Sequence, residues 1–376
     1  MRPAHERRVA DAAPKKKRGG SFGRKRRAYP DLSKPLGDLA FEVHLPQHGQ
    51  RLDRFLAERL SWRSRTKAQE LIRSGHVLVR GEPARKPAQR VLAGDAVLVR
   101  NPTEPPPDTL KHEELAGALE IVHEDGHILA LAKPPGVVCH PVGKVRYNTL
   151  VNALHVRYRH ADPALDRVPR LCHRLDKETS GLILVALAPG VRKRMQWVFE
   201  SRKVVKEYLA LVEGLWALDY DEVDLPIGRA LDSPIRIKRG VDPEEGLPSR
   251  TIVCVEERFE PARDGSDRGF TLVRASPVTG RQHQIRVHVA ARGHPVLGDT
   301  MYGPKGLACR GFPDPERTGG RPPLIARHAL HAFRVQLPHP ITGLELDLRA
   351  PLPPDFRAAL EHLRARKASG SPVRSG

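Results

Sequence analysis

A charged segment at residues 171–188, LCHRLDKETSGLILVALA, carries side chains suited to acid–base or nucleophilic chemistry. Asp176 lies between Arg174 and Lys177, and such neighbouring cations favour an ionised carboxylate. An ionised aspartate can act as a nucleophile, as a general base or as the anchor of a salt bridge. The segment runs directly into an apolar stretch, and loops at the ends of buried strands often hold functional carboxylates. The residues alone leave these three roles open.

Three further segments place polar residues beside predicted strands. KPPGVVCHP, at residues 133–141, combines rigid prolines with Gly136 and follows a strand-like run. KEYLALVEG, at residues 206–214, has Tyr208 at the start of a predicted strand. Residues 279–303 carry Arg281 and Arg286 around the run QIRVHVAA, whose alternation of polar and apolar residues predicts another strand.

The elements that position these residues are mostly strands. Apolar or alternating runs such as HILALAKP, GLILVALA, FTLVRASP and LHAFRVQL outnumber the helical patterns. Helices are predicted in TLVNALHVRY, PGVRKRMQWVFESRK and DFRAALEHLRARK, and they do not alternate regularly with the strands. This order favours an α+β domain with a mixed, largely antiparallel sheet over a doubly wound parallel sheet. We place the domain at residues 118–363.

The charge of the chain is concentrated in short segments. Its 376 residues include 64 lysines and arginines against 44 acidic residues, a formal net charge of +20. Residues 1–30 hold eleven basic and two acidic residues, residues 51–100 hold twelve and five, and residues 364–376 hold four and none. The remainder is formally neutral. We expect residues 1–35 to be a disordered basic tail, residues 364–376 to be a second basic tail, and a nucleic acid to be the partner.

Residues 45–105 are predicted to form a small basic domain. Apolar residues at helical spacing in RLDRFLAERL and TKAQELIRSG predict two short helices, and HVLVRG and AVLVR predict strands. The candidate RNA-contact residues on or beside the polar face of the second helix are Arg63, Arg65, Lys67 and Arg73. A proline-rich stretch follows at residues 101–112, and we place a linker at residues 106–117.

Two resemblances follow from these motifs. RLDRFL, SRTKAQELIRSGHVLVRGEPARKP and GDAVLV together resemble the S4 RNA-binding domain. HRLDKETSG and TGRQHQIRVH, with KPPG and K-x-Y in the same order, resemble the RluA-type pseudouridine synthases. The S4-like domain in front narrows the resemblance to the ribosomal large-subunit branch of that family, and the likeness covers about five-sixths of the chain.

The resemblance implies an RNA isomerase. Such an enzyme breaks the C1′–N1 bond of a uridine, turns the uracil and rejoins it through C5. In the family, the aspartate of H-R-L-D is catalytic, which is Asp176 here, and the arginine of H-Q-I-R pairs with it, which is Arg286. The tyrosine of K-x-Y stacks on the target base, which implies that role for Tyr208, and Arg174 is associated with holding the flipped nucleotide open. His173, Thr179, Gly181 and Gly280 are assigned to the shape of the loops.

The resemblance also implies no cofactor, because the reaction needs neither a redox step nor a phosphoryl transfer. Two Cys-His pairs, Cys139-His140 and Cys172-His173, raise the possibility of zinc, but the family carries no metal there and we expect none. We expect all four cysteines, Cys139, Cys172, Cys254 and Cys309, to be reduced thiols. We expect a cytoplasmic monomer that binds structured RNA, with no membrane association, since the longest apolar run, residues 182–188, is too short to span a bilayer.

Three alternatives stay open. The same chemistry could act on transfer RNA in place of ribosomal RNA. The protein could be a non-catalytic S4-type factor for ribosome assembly, although Asp176, Tyr208 and Arg286 are all intact. A hydrolase that uses Asp176 with Glu178 would release free uracil, but two carboxylates so close in one loop do not match the usual opposed pair.

Overall fold

The computed structural model describes residues 31–32, 38–60, 65–100, 111–142, 145, 147–162, 164–263, 267–303, 312 and 323–370. Most of the predicted basic tail at residues 1–35, together with Arg63, Cys309 and residues 106–110 of the predicted linker, lies outside these ranges. Leu32, which the prediction placed in the tail, is hydrogen-bonded to a helix of the domain predicted at residues 118–363. Its backbone N–H donates to Nδ1 of His155 at 2.9 Å, and its carbonyl accepts from Asn152 at 2.6 Å.

The domain predicted at residues 45–105 consists of two helices on a four-stranded antiparallel sheet. Its elements are β1 (Leu39–Glu42), α1 (Leu52–Arg59), α2 (Arg65–Arg73), β2 (Val77–Val79), β3 (Glu82–Pro83) and β4 (Ala96–Val99), with a 3₁₀ turn at Leu45–Gln47. The strand order is β1-β4-β2-β3. The first strand lies before the predicted boundary at residue 45, so the folded unit begins earlier than the sequence pattern indicated.

Helical spacing explains why these two helices pack on the sheet. Phe55 and Leu56 of α1 and Ile72 of α2 are buried together with Val77 and Val97 of the strands. Residues three or four apart share one face of a helix, so the apolar side of each helix covers the sheet and the charged side stays outside.

The second domain is built on one ten-stranded sheet and a two-stranded ribbon. Its strands are β5 (Glu120–Glu124), β6 (Ile128–Lys133), β7 (Arg170–Leu171), β8 (Ser180–Ala186), β9 (Val205–Glu213), β10 (Tyr220–Asp224), β11 (Ile227–Arg229), β12 (Arg239–Val241), β13 (Arg250–Phe259), β14 (Phe270–Pro277), β15 (Leu330–Pro338) and β16 (Glu345–Arg349). The main order is β10-β13-β14-β9-β15-β8-β6-β5, with β16 on β15, β7 on β8, and β11 paired with β12. Strands β8 and β15 pair in parallel, whereas the other pairs of this sheet are antiparallel. The predicted α+β class with a mixed, largely antiparallel sheet is confirmed.

Helices cover both faces of this sheet. They are α3 (His112–Gly117), α4 (Leu150–Tyr158), α5 (Val191–Glu200), α6 (Gln284–Ala291) and α7 (Pro354–Gly370). Alternation along β8 serves two cores, because Ile183 packs with α4 whereas Leu182 and Leu184 pack with α5. A strand buried on both sides reads as a continuous apolar run, which is why GLILVALA lacks a polar face.

One element and two boundaries differ from the prediction. The run QIRVHVAA is helix α6 and not a strand, because all residues from Gln284 to Val289 are buried against neighbouring elements, and packing outweighs the local preference of its β-branched residues. The predicted linker ends early, since residues 112–117 form α3, which packs beside α4. The predicted tail after residue 363 begins as helix, and Arg364 and Arg366 pair with Glu257 and Asp267 at 3.0 and 2.6 Å.

Candidate active site

The loop between β7 and β8 carries Asp176 and is fixed at its end by Gly181. This glycine has a φ of +107° and pairs with Ala332 of β15. A Cβ atom at this position would lie 2.2 Å from the carbonyl oxygen of Ala332, so the approach of the two strands requires glycine. The parallel pairing of β8 and β15 therefore sets where the loop before β8 ends.

Asp176 opens into a cavity of about 370 Å³. The cavity takes its walls from the loop before β8, the end of α5, the start of β9, the loop before α6, and α6 itself. It is lined by Cys172, His173, Arg174, Leu175, Asp176, Thr179, Phe199, Lys206, Tyr208, Pro277, Thr279, Gly280, Arg281, His283, Gln284, Ile285, Arg286 and Leu330. The motifs singled out in the sequence at residues 171–188, 206–214 and 279–303 thus meet at one place.

Arg286 links two carboxylates. Its Nη1 donates to Oδ2 of Asp176 at 2.9 Å, while Nε and Nη2 donate to the two oxygens of Asp299 at 2.6 and 2.9 Å. Arg286 and Asp299 are buried, and Asp176 keeps 27% of its side chain exposed to the cavity. Burial lowers the pKa of Arg286, but the hydrogen bonds and charges of Asp299 and Asp176 outweigh it and raise that pKa overall. The guanidinium is therefore a permanent positive charge beside Asp176.

The sequence did not single out Asp299. It lies thirteen residues after Arg286 in the loop that follows α6, and its Oδ1 also accepts from the backbone N–H groups of Met301 and Tyr302 at 2.9 and 3.2 Å. Burial raises the pKa of Asp299, yet the hydrogen bonds and charge of Arg286 lower it overall. In the sequence, Gly298 before it indicates only that this stretch is a loop.

His283 and Tyr302 complete the polar wall. His283 has a φ of +59° as the residue before α6, and its Nε2 lies 3.8 Å from Oδ2 of Asp176. Its Nδ1 forms a hydrogen bond of 2.7 Å with the hydroxyl of Tyr302, whose ring lies 5.0 Å from the guanidinium carbon of Arg286. Burial lowers the pKa of His283 despite the nearby charge of Asp176. The imidazole thus lies beside the carboxylate mainly in its neutral form.

Tyr208 lines the cavity from β9, opposite Ala332 of β15 and Ala275 of β14. Burial, with a smaller contribution from the charge of Asp176, raises the pKa of its phenol. The ring is therefore a neutral aromatic surface in the same cavity as the carboxylate. Arg174 is exposed and also lines the cavity.

Two buried side chains, one at the end of β6 and one in the loop that follows it, form hydrogen bonds with the Asp176 loop. The ammonium of Lys133 donates to the carbonyls of Pro134 and Val137 at 2.8 and 3.0 Å and to that of Lys177 at 3.0 Å. Burial lowers the pKa of Lys133 to about 8. Cys139 donates to the carbonyl of Leu175 and accepts from its N–H, at 3.3 and 3.4 Å. The residues on both sides of Asp176 are thereby tied to this loop.

Residues from near the end of the chain hold the other side of the loop. Arg327 donates to the carbonyl of Glu178 at 2.9 Å and forms two bonds, of 2.7 and 3.0 Å, with Asp355 at the start of α7. The hydroxyl of Thr179 lies 2.8 Å from Nε2 of His328. No local pattern signals this support, because the partners lie about 150 residues apart.

The predicted RNA-contact residues of the small domain differ in their surroundings. Arg65 is partly exposed but donates twice to the buried carboxylate of Asp53, at 3.2 and 3.1 Å. Lys67 pairs with Glu70 on the surface of α2, and Arg73 is exposed at the end of that helix. Arg65 thus has a structural contact in addition to any contact with RNA, and Arg63 lies outside the described residues.

The thiols near the cavity are protonated. Burial raises the pKa of Cys139, and it raises that of Cys172 to about 12. Among the described residues, no group of three or more histidine, cysteine or acidic side chains is arranged to hold a metal ion. No helix in this part of the chain is both long and apolar enough to span a bilayer.

Comparison with known proteins agrees with this geometry. The profile described as RNA pseudouridylate synthase matches residues 127–291, and that of the S4 domain matches residues 50–97. The chain is 37% identical over 331 residues to "Ribosomal large subunit pseudouridine synthase D" of Vibrio parahaemolyticus, covering 85% of this chain and 92% of that protein. The chain belongs to the RNA pseudouridine synthase family. It is an RNA-modifying isomerase with an N-terminal S4 domain.

Further relatives extend the match. The enzyme is 37% identical to the protein of the same description in Nitrosomonas europaea, over 91% of this chain and 94% of that one. Among solved structures, "Human RNA Pseudouridylate Synthase Domain Containing 4" superposes with a TM-score of 0.55 at 26% identity, covering 68% of this chain and 97% of that one. The resemblance stated from the sequence motifs is confirmed, and so is the class of enzyme.

Proposed function

We propose that this enzyme converts specific uridines of large-subunit ribosomal RNA to pseudouridine, with Asp176 as the catalytic residue. The observation that carries the proposal is the placement of a partly exposed carboxylate in a cavity, held by the buried guanidinium of Arg286. The relatives described as ribosomal large-subunit enzymes support the choice of RNA. We also propose that the enzyme works in the cytoplasm, because bacterial relatives named for the ribosomal large subunit match most of its length.

Asp176 is suited to react at the sugar carbon C1′. The Arg286 guanidinium donates to Oδ2 of Asp176 at 2.9 Å and places a positive charge beside the carboxylate. Arg286 also aims the carboxylate, because Asp299 fixes the guanidinium from its other side. An ionised and oriented carboxylate serves either attack at C1′ or base-assisted elimination to a glycal.

The cavity has the size and composition to hold a single flipped nucleotide. Its volume of about 370 Å³ lies at the small end of the range for ligand sites. Tyr208 offers a face for the uracil, and stacking on an aromatic side chain offsets part of the lost base stacking, by roughly 1–3 kcal/mol. Leu175, Ile285 and Leu330 supply apolar wall, which limits the access of water to C1′ while the uracil is detached. Arg174 lies at the exposed edge of the cavity, where it holds the flipped nucleotide open.

We also propose that the active form is the monomer, because Asp176, Tyr208 and Arg286 of one chain already meet in one cavity. Light scattering at the concentration used for activity assays tests this part of the proposal. A larger species that carries the activity, with an inactive monomer, would contradict it.

The experiment uses purified enzyme with fragments of large-subunit ribosomal RNA and, in parallel, transfer RNA. Pseudouridine is mapped by chemical labelling and reverse transcription, and free uracil is measured in the same samples. We expect pseudouridine in the ribosomal fragments, no uracil, and loss of activity on the order of a thousandfold or more in Asp176→Asn with RNA binding retained. Glu178→Gln is the matched control in the same loop and should stay active.

Other outcomes separate the alternatives. Modification of transfer RNA alone would change the assigned substrate from ribosomal RNA to transfer RNA. RNA binding without product in the unaltered enzyme would favour an assembly factor, and stoichiometric uracil would favour a hydrolase. Full activity of Asp176→Asn would exclude the proposed role of this residue.

A further inference from the structure

Outside the active site, a groove runs between α5 and the turn that joins β15 to β16. It encloses about 1070 Å³ and is lined from α5 and the segment after it by Lys193, Arg194, Trp197, Val198, Arg202, Lys203 and Val205, and from the turn by residues 338–343 and Glu345. We call it the α5 groove. The function described above uses none of these residues.

Trp197 is the feature of the α5 groove that most needs an explanation. The residue is 57% exposed, on a helix whose other face is buried. The ammonium of Lys203 lies 4.8 Å from the centre of its ring, and the apolar side chains of Val205 and Ile341 are also exposed nearby. An exposed indole ring beside cations is the arrangement that stacks on nucleobases in single-stranded RNA, since every base offers an aromatic face.

The charge of the α5 groove fits a phosphate backbone. Four cationic residues line it, against a single carboxylate, that of Glu345. Arg194 donates to the carbonyl of Pro340 at 3.5 Å and so joins the two walls, whereas Lys193, Arg202 and Lys203 are exposed at the mouth. This positive surface lies in a part of the chain whose formal charge sums to zero, so the excess is local.

The α5 groove adjoins the active-site cavity. Val198 lines the groove, and the next residue, Phe199, lines the cavity. In the same way, Val205 lines the groove and Lys206 lines the cavity. Neighbouring Cα atoms are about 3.8 Å apart, so only the thickness of one helix end and one strand start separates the two sites. An RNA strand whose uridine occupied the cavity would therefore have the α5 groove beside it.

We propose that the α5 groove binds a single-stranded segment of the substrate RNA beside the target uridine. One base stacks on Trp197, and Lys193, Arg202 and Lys203 contact phosphates. The assignment of this RNA as the substrate rests on the proposed function, whereas the binding of RNA by the groove is measured independently of catalysis.

The test compares Trp197→Ala and the double variant Arg202→Gln, Lys203→Gln with the unaltered full chain. Affinity for a protein-free fragment of large-subunit ribosomal RNA is measured at several salt concentrations, and turnover is measured at saturating RNA. We expect about tenfold weaker binding for Trp197→Ala. The double variant should lower the slope of log affinity against log salt by about 0.7 for each lost phosphate contact. Turnover at saturation should be unchanged.

Two variants serve as matched controls. Tyr220→Ala removes an aromatic ring with the same 57% exposure from β10, at the far edge of the sheet. Arg357→Gln removes an exposed cation from α7. Neither should change RNA affinity, and Trp197→Phe should restore most of what Trp197→Ala loses, because it keeps an aromatic face.

The outcomes are distinct. Binding by Trp197→Ala that equals that of Tyr220→Ala would overturn the proposal. Normal affinity for protein-free RNA together with weakened binding to assembled ribosomal particles would assign the groove to a protein and would also overturn it. If the unaltered enzyme forms no pseudouridine, the proposed function fails, and the affinity data still decide whether the groove binds RNA.

Discussion

Arg286 and Asp299 form a buried pair in which two N–H groups of the guanidinium meet two carboxylate oxygens, at 2.6 and 2.9 Å. The remaining Nη1 donates to Oδ2 of Asp176 at 2.9 Å. The orientation of Asp176 thus depends on a carboxylate that faces away from the cavity. Three side chains, and not two, form the electrostatic centre of the site.

Removal of Asp299 should affect stability as well as activity. Asp299→Ala leaves a buried guanidinium with one partner, and breaking a buried pair costs about 3–5 kcal/mol. Asp347→Ala is the matched control, since Asp347 also takes two bonds from an arginine, Arg334, at 2.6 and 2.7 Å but is exposed. That change should cost about 0–1 kcal/mol in urea denaturation. Equal losses for the two variants would contradict the importance of burial here.

Tyr208 should contribute through its ring. Tyr208→Leu removes the aromatic face and should lower pseudouridine formation by roughly ten- to a hundredfold, the equivalent of about 1–3 kcal/mol of stacking. Tyr208→Phe keeps the face and should lose less. Single-turnover assays at saturating RNA make the comparison, with circular dichroism to confirm folding. A leucine variant as active as the phenylalanine variant would argue against stacking.

Gly181→Ala should be severely destabilising. The new Cβ would meet the backbone carbonyl of Ala332 at 2.2 Å, so β8 and β15 would have to separate, at a cost above about 4 kcal/mol. Gly190→Ala is the control, because Gly190 also has a positive φ, +84°, but beyond its chain neighbours no atom lies within 4 Å of the position that a methyl group would take. There only the backbone conformation is strained, by about 1–2 kcal/mol. Thermal unfolding of the two variants tests this difference.

Stability should fall as the pH drops below about 6.5. Burial lowers the pKa of His173 and of His328 to about 3, and that of His331 to about 4. Between these values and the unfolded value near 6.5, the unfolded chain binds protons that the folded chain does not, so protonation favours unfolding. Each histidine contributes up to about 1.4 kcal/mol per pH unit in this window.

Denaturant titrations between pH 5 and pH 7.5 measure that slope. His331→Phe removes one buried imidazole and should make the dependence on pH shallower, even if it also lowers stability at pH 7.5. The exposed His160→Gln is the control and should leave the slope unchanged. A stability that is constant over this range would contradict the buried neutral state of these histidines.

The sequence predicted the parts of the site that are local. HRLDKETSG, K-x-Y and HQIR located Asp176, Tyr208 and Arg286, and the structure brings all three to one cavity. Long apolar runs predicted β6, β8 and β15, because a strand that is buried on both faces has few polar residues. The run QIRVHVAA misled because a helix buried all round shows no polar stripe, and its valines and isoleucine suggested a strand.

The supporting contacts could not be predicted, since they depend on pairing across the chain. Asp299 has no local pattern that distinguishes it from a loop aspartate, and Arg327 meets Glu178 and Asp355 only because β15 lies beside β8. Trp197 was not singled out within its predicted helix, and only the packing of α5 shows that its ring is outside.

The parallel pairing of β8 with β15 also orders events during synthesis. The S4 domain is completed within residues 39–99, so it can fold while most of the chain is still unmade. The Asp176 loop, in contrast, lacks Arg327, His328 and Asp355 until synthesis has passed residue 355. A nascent chain therefore gains an RNA-binding domain long before it gains a competent active site, and a truncation before residue 355 should yield a binder without activity.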